Sequence, residues 1–495
     1  MKIITKILYT ATVLTMFSCS DDFFDVNSSV TSPTTESLAP QYRIKGAIEN
    51  TFAATLYRGS REVLGVTQHG AQNVANYYSE VWSNEFTTGR YFLWQNAYVY
   101  SLPNTADLIV LGKKYDSPNF VAVGKILRAY NFGCTTDQYG DIVLEDTYDG
   151  ENPMNITPKF VSQKEVYAKL ISMLDEAIVE INQPSAIELN AAGGDVFYQG
   201  DLSKWTKLAY ALKARYMNHL TKKSTYNPDA VIEMCSKALS SNSDNAMRTY
   251  SGLTTAENDN QPYATGGYGS SRVDFWSDFM VSTLKNSLAL DEPYEDPRLK
   301  TIVPLSASGE YRGVRIGEGP ILGRDKYSPG NGGYYTSKTS PTYLMTFSEV
   351  KFIEAEARFR KGDKAGAYSA LKAGVAADLE KAGVTTEDAN AYIAKMDETV
   401  GATDITLSHI MTQKYLSMVF DPEVWVDMRR MDYSSDIYKG LIRPINVNVA
   451  IFPGDNDWIQ AMVYEYNEED RNYENMPNNN PTVRLTTPVW WNVTE

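Results

Sequence analysis

The chain has 495 residues, 43% of them hydrophobic. That is enough for about two to four domains or one large repeat-like body, and it excludes global disorder. Acids outnumber bases 61 to 46, which excludes the basic surface that nucleic acid demands, and the 34 Tyr, 17 Phe and 8 Trp are the informative excess, since Tyr and Trp join an apolar face to a polar edge.

Lys2 and Lys6 precede an apolar run from Ile7 to Phe17, then Ser18 and Cys19. The run is shorter than the ~20 residues that span a bilayer. Its basic start and the small residue before the cut make residues 1–18 a secretory signal, with Cys19 lipidated at the new N-terminus. Cleavage removes two lysines and no acid, so the remainder is more acidic still. Residues 19–40, rich in Ser, Thr, Asp and Pro, read as a lipidated tether. Cys134 and Cys235 fall inside amphipathic stretches and read as buried free thiols.

From Tyr42 to Tyr57 a helix is expected, with Ile44, Ile48, Phe52 and Leu56 at four-residue steps. Residues 68–100 thread Tyr77, Tyr78, Trp82, Phe86, Tyr91, Phe92, Trp94, Tyr98 and Tyr100 through Asn, Gln, Ser and Thr, with few aliphatics, and their end feeds a helix. Helices are expected over 119–139, running into the turn signal Thr136-Asp137-Gln138-Tyr139-Gly140-Asp141, and over 163–182, where Val166, Leu170, Met173, Leu174 and Ala177 share a face. Asp201 or Ser203 caps a helix carrying Trp205, Leu208, Leu212 and Tyr216, and Asn227-Pro228-Asp229 opens its antiparallel partner. Residues 241–345 change character. Gly, Ser, Asn, Pro and Tyr dominate, with one short helix from Phe275 to Leu284, and irregular chain of this length is usually functional. Helical pairing returns at Ser348. Gly362 stops one helix and Asp363 caps the next, and the Ala355-x-x-x-Phe359-x-x-Gly362 run followed by Ala367 is similar to a tetratricopeptide hairpin. A further helix covers 404–420. The fold class is therefore all-α, with tetratricopeptide-like hairpins carrying long irregular loop insertions.

Chemistry-bearing motifs are few. The three His (His69, His219, His409) form no His-Glu-x-x-His, and neither a Cys-x-x-Cys nor a Gly-x-Ser-x-Gly elbow occurs. No metal and no cofactor is expected. Asp137 and Asp141 have calcium-ligand chemistry but read as a capped turn. An enzyme is not indicated, the rival reading being an all-helical glycoside hydrolase, which needs only two carboxylates a few ångström apart.

Six motifs in order resemble the SusD/RagB-type outer-membrane lipoproteins of Bacteroidetes. They are Cys19 followed by Ser20-Asp21-Asp22-Phe23-Phe24-Asp25; the helix end Thr136-Asp137-Gln138-Tyr139-Gly140-Asp141; Trp205 to Arg215; Asp296-Pro297-Arg298-Leu299; Glu349 to Gly362; and Trp425-Val426-Asp427-Met428-Arg429-Arg430. The resemblance implies a single helical domain over 41–495, a lipid anchor on the outer surface, and a SusC-like TonB-dependent transporter as partner. It further implies capture of glycan, or of peptide in the RagB manner. Members of the family hold glycan between regions matching 77–98 and the 260–340 loops. Trp82 and Tyr78 are the expected stacking platforms, beside Asn73, Asn76, Ser83 and Asn84 for hydroxyls, with Tyr268, Trp276 and Tyr311 on the loop side. Trp205 reads as core, and Trp425, Arg429 and Arg430 as structural, with the arginines pairing acids. Trp490-Trp491 is expected to pack the tail onto the body.

Overall fold

The computed structural model describes residues 38–495 apart from 75–79, 81, 83–91, 145–154, 156, 254–262 and 264–272. The expected signal segment, Cys19 and the expected tether up to residue 37 lie outside the described residues. Pro40–Glu495 forms one compact unit. Among the described residues no helix is long and apolar enough to cross a membrane.

Ile44, Ile48, Phe52 and Leu56 are all buried. The backbone carries them through α1 (Pro40–Asn50), a π turn (Thr51–Leu56) and α2 (Tyr57–Thr67). A step of four residues overshoots the 3.6-residue helical turn, and the wider π turn takes up the difference. After β1 (Gly70–Ala71), α3 (Phe92–Asn96) and α4 (Leu102–Lys114) comes α5 (Pro118–Tyr139). Every residue of α5 from Asn119 to Tyr139 is buried, so it is a central helix packed all round, and Gly140 ends it at φ 76°. It packs against α4 and, past the short ladder of β2 (Ile142–Val143) and β3 (Phe160–Val161), against α6 (Gln163–Glu180). Ser162 and Glu165 form a reciprocal cap on α6.

Asp201, not Ser203, caps α7 (Leu202–His219), its carboxylate accepting the Ser203 and Lys204 N–H groups at 3.0 and 3.2 Å. Its partner is α8 (Pro228–Lys237), capped by Asn227. The loop-rich insertion is closed at its base. β4 (Ala246–Arg248) pairs antiparallel with β6 (Thr342–Met345), and β5 (Phe275–Trp276), α9 (Asp278–Lys285) and α10 (Leu299–Ile302) lie between them. The helix expected from Phe275 starts later, because Phe275 and Trp276 pair with β1 and Ser277 then caps the helix by accepting Met280 N–H at 3.0 Å.

The second hairpin is α11 (Phe347–Lys361) and α12 (Lys364–Lys381), turned by Gly362 at φ 89° and capped by Asp363. It is followed by α13 (Thr386–Thr399), absent from the sequence reading, then α14 (Gly401–Asp404), α15 (Leu407–Ser417), α16 (Glu423–Arg430), α17 (Tyr466–Arg471) and α18 (Pro481–Arg484). Trp425, Arg429 and Arg430 lie in α16, a helix of their own.

Buried ion pairs lock these helices. Arg215 of α7 grips Glu349 of α11 through two bonds of 2.6 and 2.7 Å. Arg298 joins Asp296 to Asp378 of α12, both at 2.6 Å, and donates to Gln413 of α15. Arg430 bridges Glu356 and Asp427. Arg429 departs from the expected acid pairing: it donates to the carbonyls of Gln460 and Asp137 and lies 3.7 Å over the Trp425 ring. Trp491 is buried and donates to Asp137 at 3.0 Å, so the tail is packed onto the body. Cys134 and Cys235 are buried free thiols.

Candidate functional site

One small apolar cluster stands apart from the main core: Ala71, Phe275, Val314, Ile316 and Ile321, with Tyr327 packed on it. Four segments build it. β1 pairs with β5, with Gly70 opposite Trp276 and Ala71 opposite Phe275. Phe275 also bridges to Pro329, and Ser277 to Val314. Backbone bonds continue the layering, from Val314 N–H to Trp276 O at 2.9 Å and from Gly330 N–H to Asp274 O at 2.9 Å. Such close stacking needs residues without side chains at two contacts. A Cβ on Gly313 would stand 2.1 Å from the Ser277 carbonyl, and one on Gly330 1.9 Å from that of Val273.

Two polar clamps tie the 70–80 segment to the loop segment. Asn73 donates its backbone N–H to Asp274 and accepts that of Ile321 at 2.8 Å, so this side chain is spent on the scaffold. The Glu80 carboxyl accepts the N–H groups of Gln72 and Gly317. Burial dominates its proton affinity, and with Asp274 nearby outweighs the two N–H bonds, pushing the pKa up to about 8.

Above this cluster opens a depression of about 320 Å³, lined by Asp274, Phe275, Arg324, Asp325, Tyr327 and Asn331 among others. The Phe275 and Tyr327 rings meet edge-on at 6.2 Å. The Arg324 guanidinium lies 5.6 Å over Phe275, and that of Arg312 5.0 Å over Tyr327. Arg324, Asp325 and Asn331 are exposed and Tyr327 is half-buried, so aromatic, amide, carboxylate and guanidinium groups face one opening.

The expected site residues fare unevenly. Tyr78, Asn76, Asn84 and Tyr268 lie outside the described residues. Trp82 is fully buried, with Phe452 at 5.0 Å and Trp458 at 5.8 Å. Trp276 is fully buried and stacked on Phe420 at 5.7 Å. Neither offers a face to a ligand: both indoles are core, because β1–β5 pairing and the Phe452 and Phe420 rings cover them. Tyr311 is half-buried against the main core, away from the Phe275 cluster. Phe275, Tyr327, Arg312 and Arg324 were missed individually, although all lie in the loop stretch that the composition marked.

Among the described residues Asp137, His219 and Glu423 stand close enough to hold a metal, yet all three are buried and engaged. His219 bonds Glu423 through Nε2 and the Tyr167 hydroxyl through Nδ1, both at 2.7 Å, and Tyr167 donates to Asp137. Burial disfavours the imidazolium, but Glu423 and Asp137 outweigh it and hold the pKa at about 9. Asp141 accepts Gln163 N–H at 2.9 Å and Asp137 accepts from Tyr167 and Trp491, so both carboxylates join distant segments instead of capping the 136–141 turn as expected. These groups form an internal network rather than an open ion site.

Residues 27–444 match a family model named SusD-like and described as starch-binding and associating with the outer membrane. No curated protein sequence matches the chain. Among solved structures, a SusD/RagB family protein from Bacteroides thetaiotaomicron is 22% identical with a TM-score of 0.73, the match covering 93% of this chain and all of the other. A chitin-binding protein is 23% identical with a TM-score of 0.70, over 92% of this chain and all of the other. A chitin-binding SusD homolog from Flavobacterium johnsoniae is 19% identical with a TM-score of 0.71, over 92% of this chain and 99% of the other. At these identities the structural likenesses speak for the fold.

Proposed function

Since the chain belongs to the SusD-like family, described as starch-binding and associating with the outer membrane, we propose that it is a cell-surface lipoprotein that captures an oligosaccharide and delivers it to a SusC-like TonB-dependent transporter. The observation that carries the capture step is the depression over the Phe275–Tyr327 pair, where the half-buried Tyr327 ring, backed by the buried Phe275, sits beside amide, carboxylate and guanidinium groups that suit hydroxyls. In this reading Tyr78, Asn76, Asn84, Tyr268 and Tyr311 are further proposed ligand contacts, and Trp82 and Trp276 are core. The lipid on Cys19 tethers the body to the outer membrane beside the transporter.

Calorimetry against malto- and chito-oligosaccharides tests the capture step, because the family description names starch and two structural relatives are named for chitin. Peptides of similar length are the comparison. One oligosaccharide binds saturably and is recovered intact, and Tyr327→Ala weakens it about tenfold, or about 1.4 kcal/mol. Binding of peptides alone, or cleavage of the sugar, overturns this reading. Fatty-acid labelling that persists in Cys19→Ser overturns the anchor.

A further inference from the structure

The described arginines of this acidic chain are largely spent on protein acceptors. Arg43, Arg215, Arg248, Arg298, Arg358, Arg360 and Arg430 all meet carboxylates within 4 Å. The exposed Arg315, Arg471, Arg312 and Arg324 differ, and of these only Arg312 and Arg324 lie over aromatic rings. Among the described residues neither guanidinium has a carboxylate within salt-bridge reach or a hydrogen-bond acceptor, although acids outnumber bases 61 to 46 in the chain. Both are exposed, and both lie over the two rings of the depression. A ring face steadies the planar cation while leaving its N–H donors open. Of the acids on the lining, Asp274 already accepts Asn73 N–H at 2.9 Å, and Asp325 does not pair with the adjacent Arg324.

We propose that this depression selects sugars bearing a carboxylate, Arg312 and Arg324 receiving the carboxylate while the half-buried Tyr327, backed by the buried Phe275, packs against the sugar that carries it. The chemistry follows from the guanidinium fork, whose paired N–H groups match a carboxylate in a way that a neutral hydroxyl cannot. Asn331 and Asp325 remain for the hydroxyls. This inference rests on glycan capture at the same site.

The test uses the mature full-length protein and a panel of oligogalacturonate, alginate and hyaluronan oligomers, each against its methyl-esterified form, with malto- and chito-oligosaccharides as neutral probes. The esters keep the ring and lose the charge. At least one acidic oligomer binds tenfold or more tightly than its ester. Arg312→Gln and Arg324→Gln, both at exposed positions, melt with the wild type and bring that ratio down to about two. Equal binding of acid and ester, or binding of neutral sugars alone, overturns the inference and leaves glycan capture standing. Binding of acidic peptides with no sugar bound overturns both.

Discussion

At the scale of single residues, burial separates aromatic side chains that composition cannot. Trp82 and Trp276 sit in polar, aromatic stretches that advertise a ligand face, yet both are fully covered. Tyr327, in the loop-rich insertion, keeps a half-buried ring on the depression, with the buried Phe275 of β5 edge-on against it. Trp82→Ala therefore costs about 3–5 kcal/mol of stability, as for other large-to-small core changes, and denaturant unfolding measures it. Oligosaccharide affinity of the folded variant stays at the wild-type value; a loss of affinity without a loss of stability would show that the indole touches ligand after all. The aromatic excess was legible as a signal that some face is aromatic. Which rings make it was not, because exposure depends on what the rest of the chain lays over each ring.

Elements were legible wherever an amphipathic period met a cap. α5, α6, α7 and the α11–α12 hairpin fall close to where spacing and capping residues put them. Composition marks residues 241–345 as an insertion, and within that stretch β4 and β6 pair in one ladder. The two-residue strands were not legible, since each is set by a partner outside its own segment, across a loop for β2 and β3 and some 200 residues away for β1 and β5. The Glu80 clamp belongs to this scale. Its pKa is raised from 4.5 to about 8, so its contribution is full below pH 4.5 and fades as pH rises through 8. Hydrogen exchange of segments 70–74 and 312–321 should accelerate between pH 6 and 9 beyond the intrinsic rate in the wild type. Glu80→Gln, which keeps an acceptor and cannot ionise, removes that excess.

For the whole molecule, two buried histidines bound the pH range of greatest stability from opposite sides. His69, stacked on Tyr415, is desolvated and its pKa falls to about 3 despite its bond to the Tyr415 carbonyl. A depressed histidine contributes stability above pH 6.5 that is lost as pH falls toward 3. His219 is held at about 9, so its contribution is full below pH 6.5 and is lost as pH rises through 9. Each costs up to about 1.4 kcal/mol per pH unit inside its window, so together they favour a maximum near pH 6.5. Chemical denaturation across pH 4–10 checks this: His69→Phe flattens the acid limb and His219→Gln the alkaline limb, and unchanged limbs would refute the assignment.

Local order in this protein is written in the chain itself. Helix periods, caps, the stop at Gly362 and the motif arginines depend on neighbours within a turn or two, and such short-range terms survive without a structure. Which carboxylate each arginine meets, which tryptophan is covered, and which loop ring is left open to a ligand were decided only when distant segments packed. Those outcomes are set by burial and desolvation, and both are properties of the assembled body rather than of any stretch of sequence.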